Sequence, residues 1–347
     1  MEKIEKEELM GMKANKAGIL ALLVALSLSM GPVSAANWNV NANMNNSVIQ
    51  GYIDGAAAGD TINFTINNGT TYTGDTGISL KVTKDNLTLL GNEVTLVGGG
   101  TSIFDITNRT GITIRDFFIN INSTGGDGIT GSNVANSTIE NNVITNGDDG
   151  INIFRGYNGL KIIGNTITNM TTGRDGISLV NHNNLTEEAF EALNDTLIEG
   201  NIIDDVQYGI FLGGNFKGLI KGNDVTGTIV GLNITGKPTA NNGKLDAVIY
   251  DNYITGIAME CPQVYYLDIL DNVIANLPGT NNSILTNGNF SKVSGGYIFV
   301  TDNDLVSSVS QAFIDATTYA AGNTGAGAYT KNSLWGFILW LLYGYFP

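Results

Sequence analysis

Charge is scarce in this chain, and basic charge scarcer still. Only 14% of the 347 residues are charged, with 17 Lys and Arg against 32 Asp and Glu, for a net charge of −15. Such a surface repels nucleic acid and anionic lipid, and nothing forms a basic stripe, so nucleic acid is excluded as a partner. The balance suits solubility outside a cell and is compatible with cation binding. Cys261 is the single cysteine, so no intrachain disulfide can form. Beside Pro262 in an apolar stretch, it reads as a buried, inert thiol. His182 is the single histidine. No Ser-His-Asp set, Cys/His zinc spacing, phosphate-binding glycine loop or nucleotide motif is present. Long apolar runs are missing too: Ala17 to Met30 is 14 residues and Leu334 to Phe346 is 13, both short for a bilayer span.

What is abundant points elsewhere. The 45 Gly, together with many Asn, tolerate the left-handed backbone of tight turns, which suits many short strands rather than a helical bundle. At 42% hydrophobic the chain can fill a long core. One phrase keeps returning: Ile139-Glu-Asn-Asn142, Ile162-Ile-Gly-Asn165, Ile198-Glu-Gly-Asn201, Ile220-Lys-Gly-Asn223 and Ile249-Tyr-Asp-Asn252, with weaker copies ending at Asn272 and Asn303. Steps of 23, 22 and 20 residues (Asn142 to Asn165, Asn201 to Asn223, Asn252 to Asn272) fit one coil of a parallel β-solenoid. A second phrase, Asp-Gly-Ile, keeps phase with it at Asp127, Asp149 and Asp175, and degenerate copies follow at Tyr208 and Val230. Coils stack at about 4.8 Å, so equivalent residues form columns, and a column of Asn can pass amide hydrogen bonds from coil to coil.

The expected organisation follows: a signal-peptide region over 1–36, an N-terminal cap over 37–58, a β-helix over 59–318, and a Gly/Ala linker with an aromatic tail over 319–347. Lys13 and Lys16, the apolar run, and Val33-Ser34-Ala35-Ala36 keep the order of a secretory signal. Thirteen Asn-x-Ser/Thr sequons, from Asn45 to Asn289, agree with export, although whether they carry sugar stays open. In the cap, Val48, Ile49, Tyr52, Ile53 and Ala56 fall at helical spacing, with Asn46 or Ser47 as N-cap. The step from Asn165 to Asn201 is 36 residues. It holds a lateral excursion with a short helix capped by Thr186, the kind of place where binding surfaces sit. The tail admits three readings: a C-terminal cap strand, an interfacial anchor in contact with membrane or envelope, or the start of a domain lost by truncation.

Gly59-Asp-Thr-Ile62, Leu87-Thr-Leu89-Leu-Gly91 and Gly111-Ile-Thr-Ile114 resemble the opening of right-handed parallel β-helix surface proteins. The later Asn phrases are similar to the carbohydrate-binding and sugar-hydrolysing β-helix repeat family, nearest in flavour to secreted adhesin-like proteins of methanogenic archaea. The resemblance spans roughly Asn46 to Asp304. It implies an all-β, right-handed parallel β-helix with a polysaccharide or cell-surface glycan as partner.

Asn146-Gly-Asp148-Asp149-Gly150 resembles the Gly-Asp-Asp segment of polygalacturonase-type β-helices, in which paired carboxylates hydrolyse a polyuronide. Asp127 lies 22 residues before Asp149, so the two share a column, which Asp175 extends with Arg174 beside it. Close carboxylates push one pKa upward and so pair a general acid with a general base. The oxygens of Asp127, Asp149 and Asp175 could equally hold Ca²⁺. The family pattern is incomplete, however. His182 stands 33 residues past Asp149 without flanking glycines, and no Arg-x-Lys follows. The Asp-Pro-His-Glu of alginate epimerases and the arginine signature of pectate lyases are absent as well. Asp before Gly is first of all a turn pair. The candidate catalytic set is therefore Asp127, Asp148, Asp149, Arg174, Asp175 and His182. The leading expectation is a secreted cell-surface β-helix with an adhesive, carbohydrate-binding or envelope role. The alternative is a polysaccharide hydrolase or lyase working through the aspartate column. Tyr265 and Tyr266 should point to opposite faces of a strand, leaving at most one for sugar stacking.

Overall fold

The structure is a computed structural model that describes residues 35–65, 70–170, 174–236, 243–260, 263–287, 291–326 and 328–331. The chain divides into Met1–Ala36 and Asn37–Pro347, and only the second unit is considered below. The expected signal segment, Cys261 and the aromatic tail lie outside the described residues.

Alternation within each phrase sets the strands. In Ile-x-Gly-Asn-x-Ile the two isoleucines point inward and the residues between them turn the chain. Parallel pairing stacks these strands into a ten-stranded sheet and a twenty-stranded sheet. The larger sheet is folded along the Asn turn into two faces, so every coil has three. The first face lines the core with Ile129, Ile151, Ile177, Ile210, Leu232, Ile257 and Ile284 in register, all fully buried. Ile139, Ile162, Ile198, Ile220 and Ile249 line the second face, and Ile144, Ile167, Ile203, Val225 and Ile254 the third. Each coil is a crossover between parallel neighbours of one sheet, which takes the right-handed sense. Burial of one such Ile or Val contributes about 1.5–3 kcal/mol. A one-residue slip would turn a whole column outward, so the register is fixed.

The Asn column is the ladder that the spacing implies. Asn142, Asn165, Asn201, Asn223, Asn252, Asn272 and Asn303 are at most 2% exposed. The Nδ2 of each donates to the Oδ1 of the next at 2.9–3.1 Å, the last link reaching Asn323. Each backbone N–H in the column also donates to that next Oδ1. The residue just before every ladder Asn has a left-handed backbone: Asn141, Gly164, Gly200, Gly222, Asp251, Asp271, Asp302 and Gly322, with φ between 54° and 69°. That is why Gly, Asn and Asp share this place in the phrase. At Gly222, φ is +61° and an added Cβ would meet nothing within 4 Å. Gly222→Asn should therefore leave the urea midpoint nearly unchanged, whereas Gly222→Val should cost about 1–2 kcal/mol. Equal midpoints for the two variants would contradict the backbone argument.

The cap has a strand before its helix. Asn37–Val40 pairs in parallel with Thr61–Phe64, and helix α1 (Asn46–Gly55) follows, burying Ile49 and Ile53. Its N-cap is Asn45, whose side chain accepts from Val48 N at 3.0 Å, rather than Asn46 or Ser47. Gln50 exchanges two hydrogen bonds with the backbone of Lys81, on the end strand of the ten-stranded sheet. The helix thus covers an edge that would otherwise present unpaired backbone. In the excursion, Thr186 caps α2 (Glu187–Glu191) as expected, accepting from Ala189 N at 3.2 Å. After α3 (Gln311–Ala316) the solenoid runs beyond 318: Tyr319–Ala321 pairs with Ser291–Thr301 and Asn323 joins the ladder. A coil therefore stands where a linker was expected.

Candidate functional site

The Asp-Gly-Ile phrase sits where each coil turns from the third face onto the ten-stranded sheet. Gly has a steric reason to be there. A Cβ on Gly128, Gly150 or Gly176 would lie 2.6–2.7 Å from the carbonyl oxygen of the equivalent glycine in the next coil. It would also lie 2.5 Å from Ile144, Ile167 or Ile203. The turn is pressed onto the core, and the preceding Asp is held beside the strand's outer surface.

Asp127, Asp149 and Asp175 do form a column. Asp127 Oδ1 accepts from Asp149 N at 3.3 Å, and Asp149 Oδ1 accepts from Asp175 N at 2.9 Å. Asn152 Nδ2 donates to Asp127 Oδ2 at 3.3 Å. Asp127 and Asp149 are 9% and 8% exposed. Burial raises the pKa of Asp127, partly offset by the Asp149 N–H. Burial raises Asp149 to about 6, against the pull of the Asp175 N–H and with a further push from the Asp127 charge. Asp175 rises to about 7, through burial first and the charge of Asp149 second. Arg174 Nε pairs with Asp148 Oδ1 at the rim, so Arg174, Asp148 and the three column acids form one neighbourhood.

His182 is not part of it. It lies just past the far end of the strand Asp175–Asn181, roughly 23 Å from Asp175 at the usual rise per residue. The Ca²⁺ expectation also finds no cage, since among the described residues no group of three or more such side chains could hold a metal ion. The physical reason is that carboxylates stacked one per coil bond along the column instead of converging on a point.

Register extends the acid column into a feature that the phrases did not reveal. Asp175 pairs with Tyr208, and Tyr208 with Val230. Ser178 pairs with Phe211, and Phe211 with Asn233. Tyr208 and Phe211 are half-buried side by side, with ring centroids 5.9 Å apart. The sheet's outer surface therefore runs from carboxylates to an aromatic pair within two coils. The signal was in the sequence, because Tyr208 occupies the Asp place of a degenerate Asp-Gly-Ile copy. Beyond it, Tyr208, Val230, Asn233, Ala258 and Leu285 help to line a shallow depression of about 250 Å³.

Tyr265 and Tyr266 break the expected alternation. A β-bulge shifts the register so that Leu245 faces Val264 while Asp246 faces Tyr266, and both tyrosines end half-buried on the outside. Tyr265 packs on Phe190 of the excursion and Tyr266 on Phe299. The sequon asparagines Asn86, Asn108, Asn122, Asn136 and Asn169 sit in exposed left-handed turns.

The family described as a right-handed beta helix region matches residues 99–254. Among solved structures, the chain is similar to the A-module of a mannuronan C-5 epimerase from Azotobacter vinelandii. The two share 16% identity over 84% of this chain and 96% of that one, with a TM-score of 0.54. An alginate lyase from a Paenibacillus species aligns over the same shares at 16% identity, with a TM-score of 0.47. No curated protein sequence matches. At these identities the likeness is one of fold, a right-handed parallel β-helix.

Proposed function

We propose that this β-helix is a secreted, cell-surface glycan-recognising protein, in the manner of adhesin-like surface repeats, and that it lays a polysaccharide along the outer face of the ten-stranded sheet. The observation that carries this reading is the continuous row of Asp127, Asp149 and Asp175 running into Tyr208 and Phe211. Carboxylates accept hydrogen bonds from sugar hydroxyls, and an aromatic pair packs against the apolar faces of pyranose rings. Coils rise about 4.8 Å apart, close to one sugar unit, so successive units can meet equivalent positions. The epimerase that shares the fold is named for a polysaccharide substrate, which supports a glycan as the partner. The sequons and the signal-like opening support the cell exterior.

A second reading has its own observation. Asp149 and Asp175 sit on adjacent coils with pKa values raised to about 6 and about 7. They can hold one proton between them near neutrality, as an acid–base pair does. Strand spacing sets their backbones about 5 Å apart, so the two carboxyls face the same stretch of a bound chain.

The test is a binding and cleavage screen of residues 37–331 on neutral and acidic polysaccharides. Tyr208→Ala should weaken glycan binding about tenfold or more. Asp149→Asn should abolish any turnover while leaving most of the binding. Binding that survives the loss of Tyr208 unchanged would remove the sheet face as the site. Turnover that survives Asp149→Asn would remove the catalytic reading.

A further inference from the structure

The excursion carries a second site. Phe190 of α2 is fully buried against Tyr265, with ring centroids 5.6 Å apart. Lys244 brings its Nζ to 5.5 Å from the Tyr265 ring and 6.0 Å from the Phe190 ring. Tyr265 reaches this place because of the β-bulge, and bulges commonly re-aim one side chain next to a site. Between the start of the excursion and the second face remains a cavity of about 210 Å³. Asn183, Asn184, Leu185, Asn215, Lys244, Gln263 and Tyr265 line it.

The lining is chemically uneven. Asn215 is structural, since its Nδ2 donates to Asn181 O and Asn183 O and its Oδ1 accepts from Lys244 N. Lys244 is the one cation in the lining. Among the described residues no carboxylate stands within ion-pair distance of its Nζ. The acids nearby belong to Lys217: Asp195 lies 4.0 Å from its Nζ, and its charge also acts on Asp246. In a chain of net charge −15, an ammonium held without a carboxylate beside a tyrosine ring and several amides is set up for an anion on a polar ligand.

We infer that this pocket binds one acidic sugar residue, a uronate or a similar carboxylate-bearing pyranose. Its carboxylate meets Lys244 Nζ, one ring face lies against Tyr265, and the amides of Asn183, Asn184 and Gln263 take the hydroxyls. The volume admits a single unit, so the ligand is a chain end or a side branch rather than a running polymer. This site stands apart from the acid-lined sheet face and does not depend on the reading given for that face.

The experiment is titration of the full chain with glucuronate, galacturonate, glucose and galactose, read by ligand-observed NMR. The acidic sugars should bind at least about tenfold more tightly than the neutral ones. Lys244→Met, which keeps the apolar stem, should erase that preference, and Tyr265→Ala should weaken both classes. Lys161→Met, which removes an exposed ammonium outside the pocket lining, should leave acidic-sugar binding unchanged. Circular dichroism of Lys244→Met checks that the excursion keeps its fold. No preference for the acid, or a preference that persists in Lys244→Met, overturns the assignment.

Discussion

Asn201→Ala should lower the stability of the protein by about 4 kcal/mol, a displacement of the urea midpoint well outside measurement error. Asn201 is fully buried. Its Oδ1 accepts from both Asn165 N and Asn165 Nδ2 at 2.9 and 3.0 Å. Its Nδ2 donates to Ile162 O at 3.0 Å and to Asn223 Oδ1 at 2.9 Å. Alanine fills none of these roles, and each buried donor or acceptor left alone costs about 1–3 kcal/mol. Asn201→Asp keeps an acceptor but loses both donors and turns a carboxylate toward two oxygens. It should be as damaging at pH 7 and markedly less so once protonated. The solvent-exposed stack of Asn39, Asn63 and Asn92 is the control: Asn63→Ala should cost less than about 1 kcal/mol, because water replaces what is lost. Similar losses at Asn201 and Asn63 would show that the ladder contributes no more than a surface amide pair.

Asp149→Asn should make the protein more stable above neutrality. The Asp149 carboxyl has an ordinary value of 3.8 and is raised to about 6 in the fold, chiefly by burial. The folded state therefore holds a proton that the unfolded state has already released. Stability is fully present below the ordinary value and falls as pH rises through the raised one. With Asp175 raised to about 7, the loss should spread from about pH 4 to pH 7. A rise from 3.8 to about 6 corresponds to roughly 3 kcal/mol. Asparagine retains the oxygen that accepts from Asp175 N and removes the charge. The variant should therefore gain about 2–3 kcal/mol at pH 8 and little at pH 4. Urea melts at the two pH values decide it, and a variant destabilised at pH 8 would mean that the charge is stabilising in place.

The Asn phrase revealed the ladder because its two requirements, a left-handed residue and then a buried amide, fall on adjacent positions. It hid the last rung. Ala320-Ala-Gly322-Asn323 keeps the Gly-Asn pair but replaces the Ile that made the other copies visible. The Asp-Gly-Ile phrase located the column, since Gly there is a steric necessity and Asp a backbone acceptor. It could not show that His182 belongs to the opposite end of the strand, because separation along one strand becomes distance only once the strand is known to be straight. Nor could alternation foresee Tyr265 beside Tyr266 on one face. The bulge that puts both outside is a mismatch between neighbouring coils, and neither strand contains it alone.

Every amide of the buried column points the same way, with Oδ1 toward the coil before and Nδ2 toward the coil after. Its head is closed by Phe117 N, which donates to Asn142 Oδ1. Its tail is closed by Tyr329 O, which accepts from Asn323 Nδ2. Aligned amide dipoles add, as they do along a helix. One corner of the solenoid is therefore a polarised rod with a negative and a positive pole. A rod of that kind grows in one sense only: a coil inserted anywhere along it must present oxygen upstream and nitrogen downstream, and a reversed coil would set like poles against each other.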